Sequence, residues 1–351
     1  MYRYSLLVIG LILAFPLLPL SIMAFFLPVT WSGIGYLLGT WIVVVGFLLA
    51  PRVQRYSLIL LIGIGFVGFI AGLRSSLVGQ DPNSTVRVIA LPKGDTTSRV
   101  NALIDEQDGL IFGETLFHWI GGDSDSEHRG LTSALQTAYS EMGQEGNFSS
   151  PIVSTYLGLQ RPRHFDAVVI EPEGEPQFAV VFLHGYMGNV TAQCWEIAQA
   201  VKPLGGLTVC PSTVWTGEWW QPEGQSILQK TFEYIRSRGI QHFYLGGFSN
   251  GGFGISILAP QWRNEQGLAG LIFIDGFANG TDIQEVGLPV LIIEGLQDER
   301  VPVEAARQFA SEVGELGTYV ELEGDHFIIM KHPTPVQNEI KKWLAEQEAL
   351  K

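Results

Sequence analysis

The sequence predicts an α/β architecture, a mostly parallel sheet flanked by helices, preceded by about three transmembrane helices. Two observations carry this. The first 79 of 351 residues hold three long apolar runs and no acidic residue. After Pro151, apolar runs of strand length alternate with segments of helical period, the pattern of parallel strands joined by crossover helices.

Residues 5–28 contain no charge; as a helix they extend roughly 36 Å, enough to cross a hydrocarbon core even with Pro16 and Pro19 inside. A second uncharged run covers 33–50 and gains Trp31 as an interfacial residue, and a third covers 56–73 and ends at Arg74. The expected spans are therefore near 5–28, 31–50 and 56–78, within a membrane region 1–79. A cleaved signal peptide is the competing reading of the first run. It is too long for a typical signal core, however, and lacks an A-x-A-like exit site. Arg3 precedes the first run, and Arg52 and Arg55 lie between the second and third. Those ends are expected to face the cytoplasm, so three spans deliver the rest of the chain to the opposite side, with Arg74 as the contrary charge. Gly63, Gly65, Gly68 and Gly72 are small residues suited to close helix packing.

Residues 80–150 read as a linker followed by a helical cap or spacer. The stretch 80–84 is polar, 85–90 has strand character, and 97–104 and 131–142 carry apolar residues at helical spacing. Between them, the Asp- and Ser-rich stretch 121–129 lacks the glycine and terminal glutamate of an EF-hand loop. It reads as a solvated loop.

The catalytic domain is expected over 151–351. Strands are predicted at 165–170, 178–183, 207–210, 242–246, 268–274, 289–294 and 318–322. Helices are predicted at 194–201, 226–237, 251–258, 303–313 and 335–349.

One strand runs straight into Gly247-Phe248-Ser249-Asn250-Gly251 and then into a helix. This G-x-S-x-G spacing suits a serine on a strained turn, because glycine two residues to either side lets strand and helix approach. Asp298 follows the strand 289–294, and His326 follows the strand 318–322, which gives the chain order serine, acid, histidine. In this arrangement His326 takes the proton of Ser249 and Asp298 holds the imidazolium. Backbone N–H groups of Tyr186 and Asn250 are the expected oxyanion donors. Asp275, at the end of the strand 268–274, is the rival acid. Asp325 reads as a surface or loop-capping residue and His184 as a prop for the oxyanion loop. Trp219, Trp220, Phe248 and Phe277, together with Tyr186 and Trp215, lie near strand ends and are candidates to line an apolar acyl pocket, although aromatic residues at such places are more often ordinary packing.

Four motifs resemble the α/β-hydrolase superfamily: HGYMG at 184–188, GFSNG at 247–251, GLQDERVP at 295–302 and GDHF at 324–327. The match is nearest to the small phospholipase/carboxylesterase branch with its acyl-protein thioesterases, and to dienelactone-hydrolase-like proteins. It covers roughly residues 165–343. The resemblance implies an α/β-hydrolase fold, the triad Ser249, Asp298 and His326, and hydrolysis of esters or thioesters with no cofactor. Two departures stand out. Asn250 occupies the position after the serine where relatives often carry Gln, Met or Ala, and nothing between 274 and 289 is long enough for a lid.

The chain carries −14, and the first 79 residues contribute four Arg and no acid, so the remainder carries −18. An acidic surface of this kind repels phosphate and argues against a nucleic-acid partner. Cys194 and Cys210 sit in no C-x-x-C or nucleophile-like context, and the histidines at 118, 128, 164, 242 and 332 have no metal-ligand spacing. No metal is expected. A disulfide and two core thiols remain equal readings of the cysteines. Asn83, Asn147, Asn189 and Asn279 begin glycosylation triplets, and a sugar at Asn189 or Asn279 would obstruct the site, which favours a bacterial source. The expected protein is an integral membrane serine hydrolase of a bacterial plasma membrane, with an extracytoplasmic catalytic domain and a small-molecule or lipid ester as substrate. A serine peptidase or acyltransferase on the same triad, or a non-catalytic ligand-binding membrane scaffold, are the alternatives.

Overall fold

A computed structural model describes residues 2–78, 84–122, 124–146 and 148–351. The residues 80–83 of the expected linker, and Asn83 and Asn147 of the glycosylation triplets, lie outside the described residues. The chain divides into two compact units, one of residues 1–79 and 102–123, the other of 80–101 and 124–351.

In the first unit, uncharged apolar sequence forms α1 (Tyr2–Phe26), α2 (Trp31–Leu49) and α3 (Tyr56–Leu77), each long and apolar enough to cross a membrane. Their large side chains face outward: Phe15 and Phe25 are 82% and 88% exposed. The close approach of α2 to α3 uses Gly35, Gly39 and Gly46 of α2 and Gly63 of α3. An added Cβ at these positions would lie 2.7–2.8 Å from Ile70, Val67, Leu60 and Val43 respectively. Gly65, Gly68 and Gly72, expected to share this role, meet nothing within 4 Å; they lie off the α2 face, and the contact residues on α2 were not singled out from sequence. Arg3 stacks over Tyr56 at 5.7 Å, which brings the N-terminal ends of α1 and α3 together. A fourth helix, α4 (Glu106–Trp119), completes the unit.

The second unit contains α5 (Asp125–His128), α6 (Leu131–Met142), α7 (Ile152–Tyr156), α8 (Thr191–Val201), α9 (Pro222–Ser237), α10 (Asn250–Leu258), α11 (Val303–Val313), α12 (Ile328–Lys331) and α13 (Pro333–Ala349). Among the described residues its sheet has nine strands: β1 (Val86–Leu91), β2 (Asp95–Thr96), β3 (Phe165–Ile170), β4 (Phe178–Leu183), β5 (Gly206–Pro211), β6 (Phe243–Phe248), β7 (Leu268–Ile274), β8 (Val290–Gly295) and β9 (Gly317–Leu322). They lie in the order β2-β1-β3-β5-β4-β6-β7-β8-β9. The strands from β5 to β9 along this order are parallel, and β2, β1 and β3 join antiparallel at one edge. Strands β3 to β6 and β8 are buried at every position, which is why they read as unbroken apolar runs rather than alternating ones. One face packs Phe232 and Ile235 of α9, Ile255 of α10 and Phe309 of α11 against Val181, Leu245 and Phe273. The other carries α8 and α13, with Trp343 of α13 edge-on to Tyr244 of β6 at 5.5 Å.

The segment 80–150 thus divides. Its first strand joins the sheet as β1, α4 belongs with the apolar helices, and α6 packs on α8. Only a 3₁₀ turn at Arg99–Ala102 forms where a helix over 97–104 is expected. The cause is local competition for hydrogen bonds: Thr97 and Asn101 donate their side-chain hydrogens to the buried Asp166 carboxylate at 2.6 and 2.8 Å.

Cys194 of α8 and Cys210 of β5 form a disulfide with a sequence separation of 16. Closing a loop of this length stabilises the fold by about 3 kcal/mol. Reduction with dithiothreitol is expected to lower the urea midpoint of the second unit accordingly, and an unchanged midpoint would show that the bond does not constrain the unfolded chain.

Candidate active site

Ser249 stands between β6 and α10 with φ of 52°, a left-handed conformation that a non-glycine residue keeps only under surrounding constraint. The constraint is a ring of glycines. A Cβ on Gly251 would strike the Leu183 carbonyl, one on Gly276 would strike the backbone of Ser249, and one on Gly185 would come within 2.9 Å of the Ser249 Cβ. The G-x-S-x-G spacing is therefore steric: the strand-to-helix reversal leaves no room for side chains.

Ser249 Oγ lies 3.0 Å from His326 Nε2, and His326 Nδ1 lies 2.7 Å from Asp298 Oδ2. The other Asp298 oxygen accepts the N–H groups of Arg300 and Val301 at 2.7 and 2.8 Å. The three residues expected from sequence are brought into one hydrogen-bonded line. Asp298 and His326 are buried.

The rival Asp275 does not reach His326. It is fully buried with φ of 45°, and its Oδ1 accepts the Gly295 N–H at 2.9 Å. Carboxylate oxygens of Asp275, Glu294 and Asp298 lie within 4.8 Å of one another. Three charges in so small a buried volume are mutually unfavourable. Burial, reinforced by Glu294 and Asp298, holds the Asp275 carboxyl well above the usual range, and burial followed by Asp298 and Glu321 pushes Glu294 up to about 9. Donors converge on Asp298, which receives two backbone N–H groups, whereas both Glu294 oxygens lack a hydrogen-bond partner. A carboxyl whose folded pKa lies above the ordinary 4.5 contributes stability that is complete below that value and is lost as pH rises through the folded one. Glu294→Gln is accordingly expected to raise the melting temperature at about pH 9 and change it little at about pH 4.5. A difference independent of pH would show that Glu294 does not titrate in this way.

The loop after β4 carries Tyr186, and its shape depends on Met187 and Gly188, with φ of 79° and 92°. Asn189 anchors the loop by donating to Cys210 O at 2.7 Å and Ser212 Oγ at 3.0 Å, so this triplet asparagine is buried and engaged. His184 is a structural prop. Its Nε2 accepts the Thr213 N–H at 3.2 Å, which leaves Nδ1 to donate to Gly185 O at 2.8 Å, and burial lowers its pKa to about 4. Asn250 is the first residue of α10, where the N–H has no intrahelical acceptor; its side chain donates to Thr216 O at 2.8 Å.

The aromatic residues divide. Trp219 has no exposed surface, and its indole donates to His184 O at 2.9 Å, which supports the loop after β4. Phe277 stacks on Phe309 at 4.8 Å in the core, and Phe248 is buried against His326 at 5.1 Å. Trp220 is half-buried, edge-on to Phe253 at 5.1 Å. The exposed aromatic surface is instead built by Tyr186 and Trp215, 4.8 Å apart, with Tyr156 stacked on Trp215 at 6.1 Å. Tyr156 precedes every motif, and no local signal marks it.

Glu127 was also missed. It receives Arg300 through Nε at 2.6 Å and Nη2 at 3.0 Å, while Lys331 donates to Ser126 O at 2.9 Å and to the Asp325 carboxylate. Asp325, whose Oδ1 also accepts the Phe327 N–H at 3.0 Å, caps the loop that holds His326. The stretch 121–129, expected as a solvated loop, thus contains α5, which ties the Asp298 and His326 loops together. The signal was present: Ser124 and Glu127 form a capping box.

Residues 224–329, which include Ser249, Asp298 and His326, match the family model described as "Alpha/beta hydrolase family". The second unit has the α/β-hydrolase fold. No curated protein matches the chain in sequence. Among solved structures, Est1E from Butyrivibrio proteoclasticus is 18% identical with a TM-score of 0.46, over 53% of this chain and 95% of its own. An alpha-beta serine hydrolase homologue from Coxiella burnetii is 20% identical with a TM-score of 0.43, over 52% and 92%. XC6422 from Xanthomonas campestris, described as an a/b serine hydrolase without lid, is 20% identical with a TM-score of 0.42, over 52% and 91%.

Proposed function

We propose that this protein is a membrane-anchored serine hydrolase that cleaves carboxylic ester or thioester bonds. The observation that carries the reading is the unbroken hydrogen-bonded line from Ser249 through His326 to Asp298. On this reading His326 Nε2 takes the Ser249 Oγ proton as Oγ bonds to the acyl carbon. The N–H groups of Tyr186 and Asn250 receive the oxyanion. His326 returns the proton to the departing alcohol or thiol, and water then releases the acid from Ser249 by the same steps in reverse roles. The exposed rings of Tyr186, Trp215 and Tyr156 supply an apolar surface beside the serine for the substrate's acyl or aryl group.

Three helices of spanning length support a membrane anchor. Arg3, Arg52 and Arg55 favour one cytoplasmic end, and Arg74, the contrary charge, is paired with Asp105 at 3.0 Å. An extracytoplasmic second unit accords with the Cys194–Cys210 disulfide, since such bonds persist in oxidising compartments.

The test is fluorophosphonate labelling of the full-length protein in detergent, with the labelled peptide mapped, alongside a p-nitrophenyl ester series of increasing acyl length. Label on Ser249 with matching ester turnover supports the reading. A folded protein that neither labels nor turns over any ester is a ligand-binding scaffold instead.

A further inference from the structure

Helix α4 is unusual for a protein in water. Its acidic residues Glu106, Asp108 and Glu114 are buried together with Leu110, Ile111 and Thr115. Its outward stripe runs through Gly109, Phe112, Gly113, Leu116, Trp119 and the capping Ile120, spaced three or four residues apart, and Leu116, Trp119 and Ile120 are 44%, 54% and 74% exposed. An exposed apolar stripe backed by buried carboxylates is opposite to the usual surface helix and marks a surface with an apolar partner.

The buried side is held by the ends of the apolar helices. Asp108 accepts the Thr30 N–H at 2.8 Å and the Thr30 hydroxyl at 2.6 Å, at the N-terminus of α2. Asp105, the N-cap of α4, pairs with Arg74 near the C-terminus of α3. Gly33 gives the Asp108 carboxylate its space, because a Cβ there would overlap Asp108 Oδ2. The Tyr36 hydroxyl donates to Leu103 O at 2.6 Å. These contacts gather the last turns of α3 and the first of α2, which as antiparallel neighbours share one side of a bilayer.

The apolar side continues the same surface. Ile104, Gly109 and Phe112 line a hollow of about 440 Å³ together with Leu20 of α1, Leu37 of α2 and Val67 and Ala71 of α3. Leu20 and Leu37 each lie six residues from their helix end, roughly 9 Å along the axis, a depth within the hydrocarbon for a helix that spans it.

We infer that α4 is an interfacial membrane element whose stripe from Gly109 to Ile120 is covered by lipid acyl chains, with Asp105 and Asp108 sealed against the span ends. Trp119 sits at the end of this stripe, where its amphipathic ring suits the headgroup boundary. The inference rests on the three helices spanning a membrane, and its test separates the two.

The two native cysteines are joined, so a single introduced thiol can be labelled with an environment-sensitive fluorophore in the full chain. Labels are placed at Leu116→Cys and Trp119→Cys, with Phe15→Cys on the outward face of α1 and Lys341→Cys at an exposed position of α13 as references. The protein is reconstituted in phosphatidylcholine vesicles carrying acyl-chain nitroxides, and aqueous iodide is the opposing quencher. The expected result is that positions 116, 119 and 15 are quenched by the nitroxide lipids and shielded from iodide, with 341 the reverse. Positions 116 and 119 behaving like 341, while 15 remains lipid-quenched, overturns the inference and leaves the spans intact. Shielding at 116 and 119 from both quenchers assigns the stripe to a protein partner and also overturns it. Iodide access at position 15 overturns the membrane reading itself.

Discussion

Replacement of Ser249 by alanine is expected to lower kcat for ester hydrolysis by about 10⁶-fold and to abolish fluorophosphonate labelling. The size of the effect follows from the chemistry. Without Oγ there is no acyl-enzyme, and the remaining groups only bind and polarise the ester. If the Tyr186 and Asn250 N–H groups receive the oxyanion as proposed, a residual rate of about 10³ to 10⁴ above the uncatalysed reaction is expected to survive. Fold loss is not expected to confuse the result, because alanine keeps the Cβ that packs against Gly185. A variant that retains more than about a tenth of wild-type kcat would remove Ser249 from the reaction.

The second large effect concerns the acid. Asp298→Asn preserves shape and leaves an oxygen for the Arg300 and Val301 N–H groups, but it no longer accepts a hydrogen from His326 Nδ1 without turning its amide. The imidazole then favours the wrong tautomer and its cation has no partner, which is expected to cost about 10⁴-fold in kcat. Asp275→Asn is the matched control. It keeps the acceptor for the Gly295 N–H and lies beside Asp298 without a hydrogen bond to Ser249 or His326, so kcat is expected to stay within about tenfold. The opposite order of the two variants would move the catalytic acid one strand earlier.

Much of the second unit was legible in sequence because parallel strands buried on both faces announce themselves as unbroken apolar runs. The loops at their carboxyl ends carry glycines whose positions are dictated by backbone contact, as at Gly251 and Gly276. Side-chain direction was not legible. Trp219 and Phe277 are near strand ends in sequence, yet each turns into the interior, while Tyr156 turns out to meet Trp215 from a segment with no motif. The cysteine pairing was equally open, since a helix-to-strand connection fixes the spacing in sequence but not the approach of two side chains. Helix α4 escaped notice for a different reason. Its sequence, with two glycines and three acids among aromatic residues, fits no soluble amphipathic template, because all three acids lie among the buried residues while Leu116 and Trp119 are exposed.

The order of the units along the chain has a practical consequence. The chain passes between them three times, near residues 79, 101 and 123. A cut placed after the third apolar helix therefore leaves residues 102–123 attached to the hydrolase unit. A fragment beginning at residue 80 carries α4 without Thr30 and Arg74, so Asp105 and Asp108 lose their partners while the apolar stripe remains. Separating the second unit from the first therefore requires removal of 102–123 as well as of the N-terminal helices.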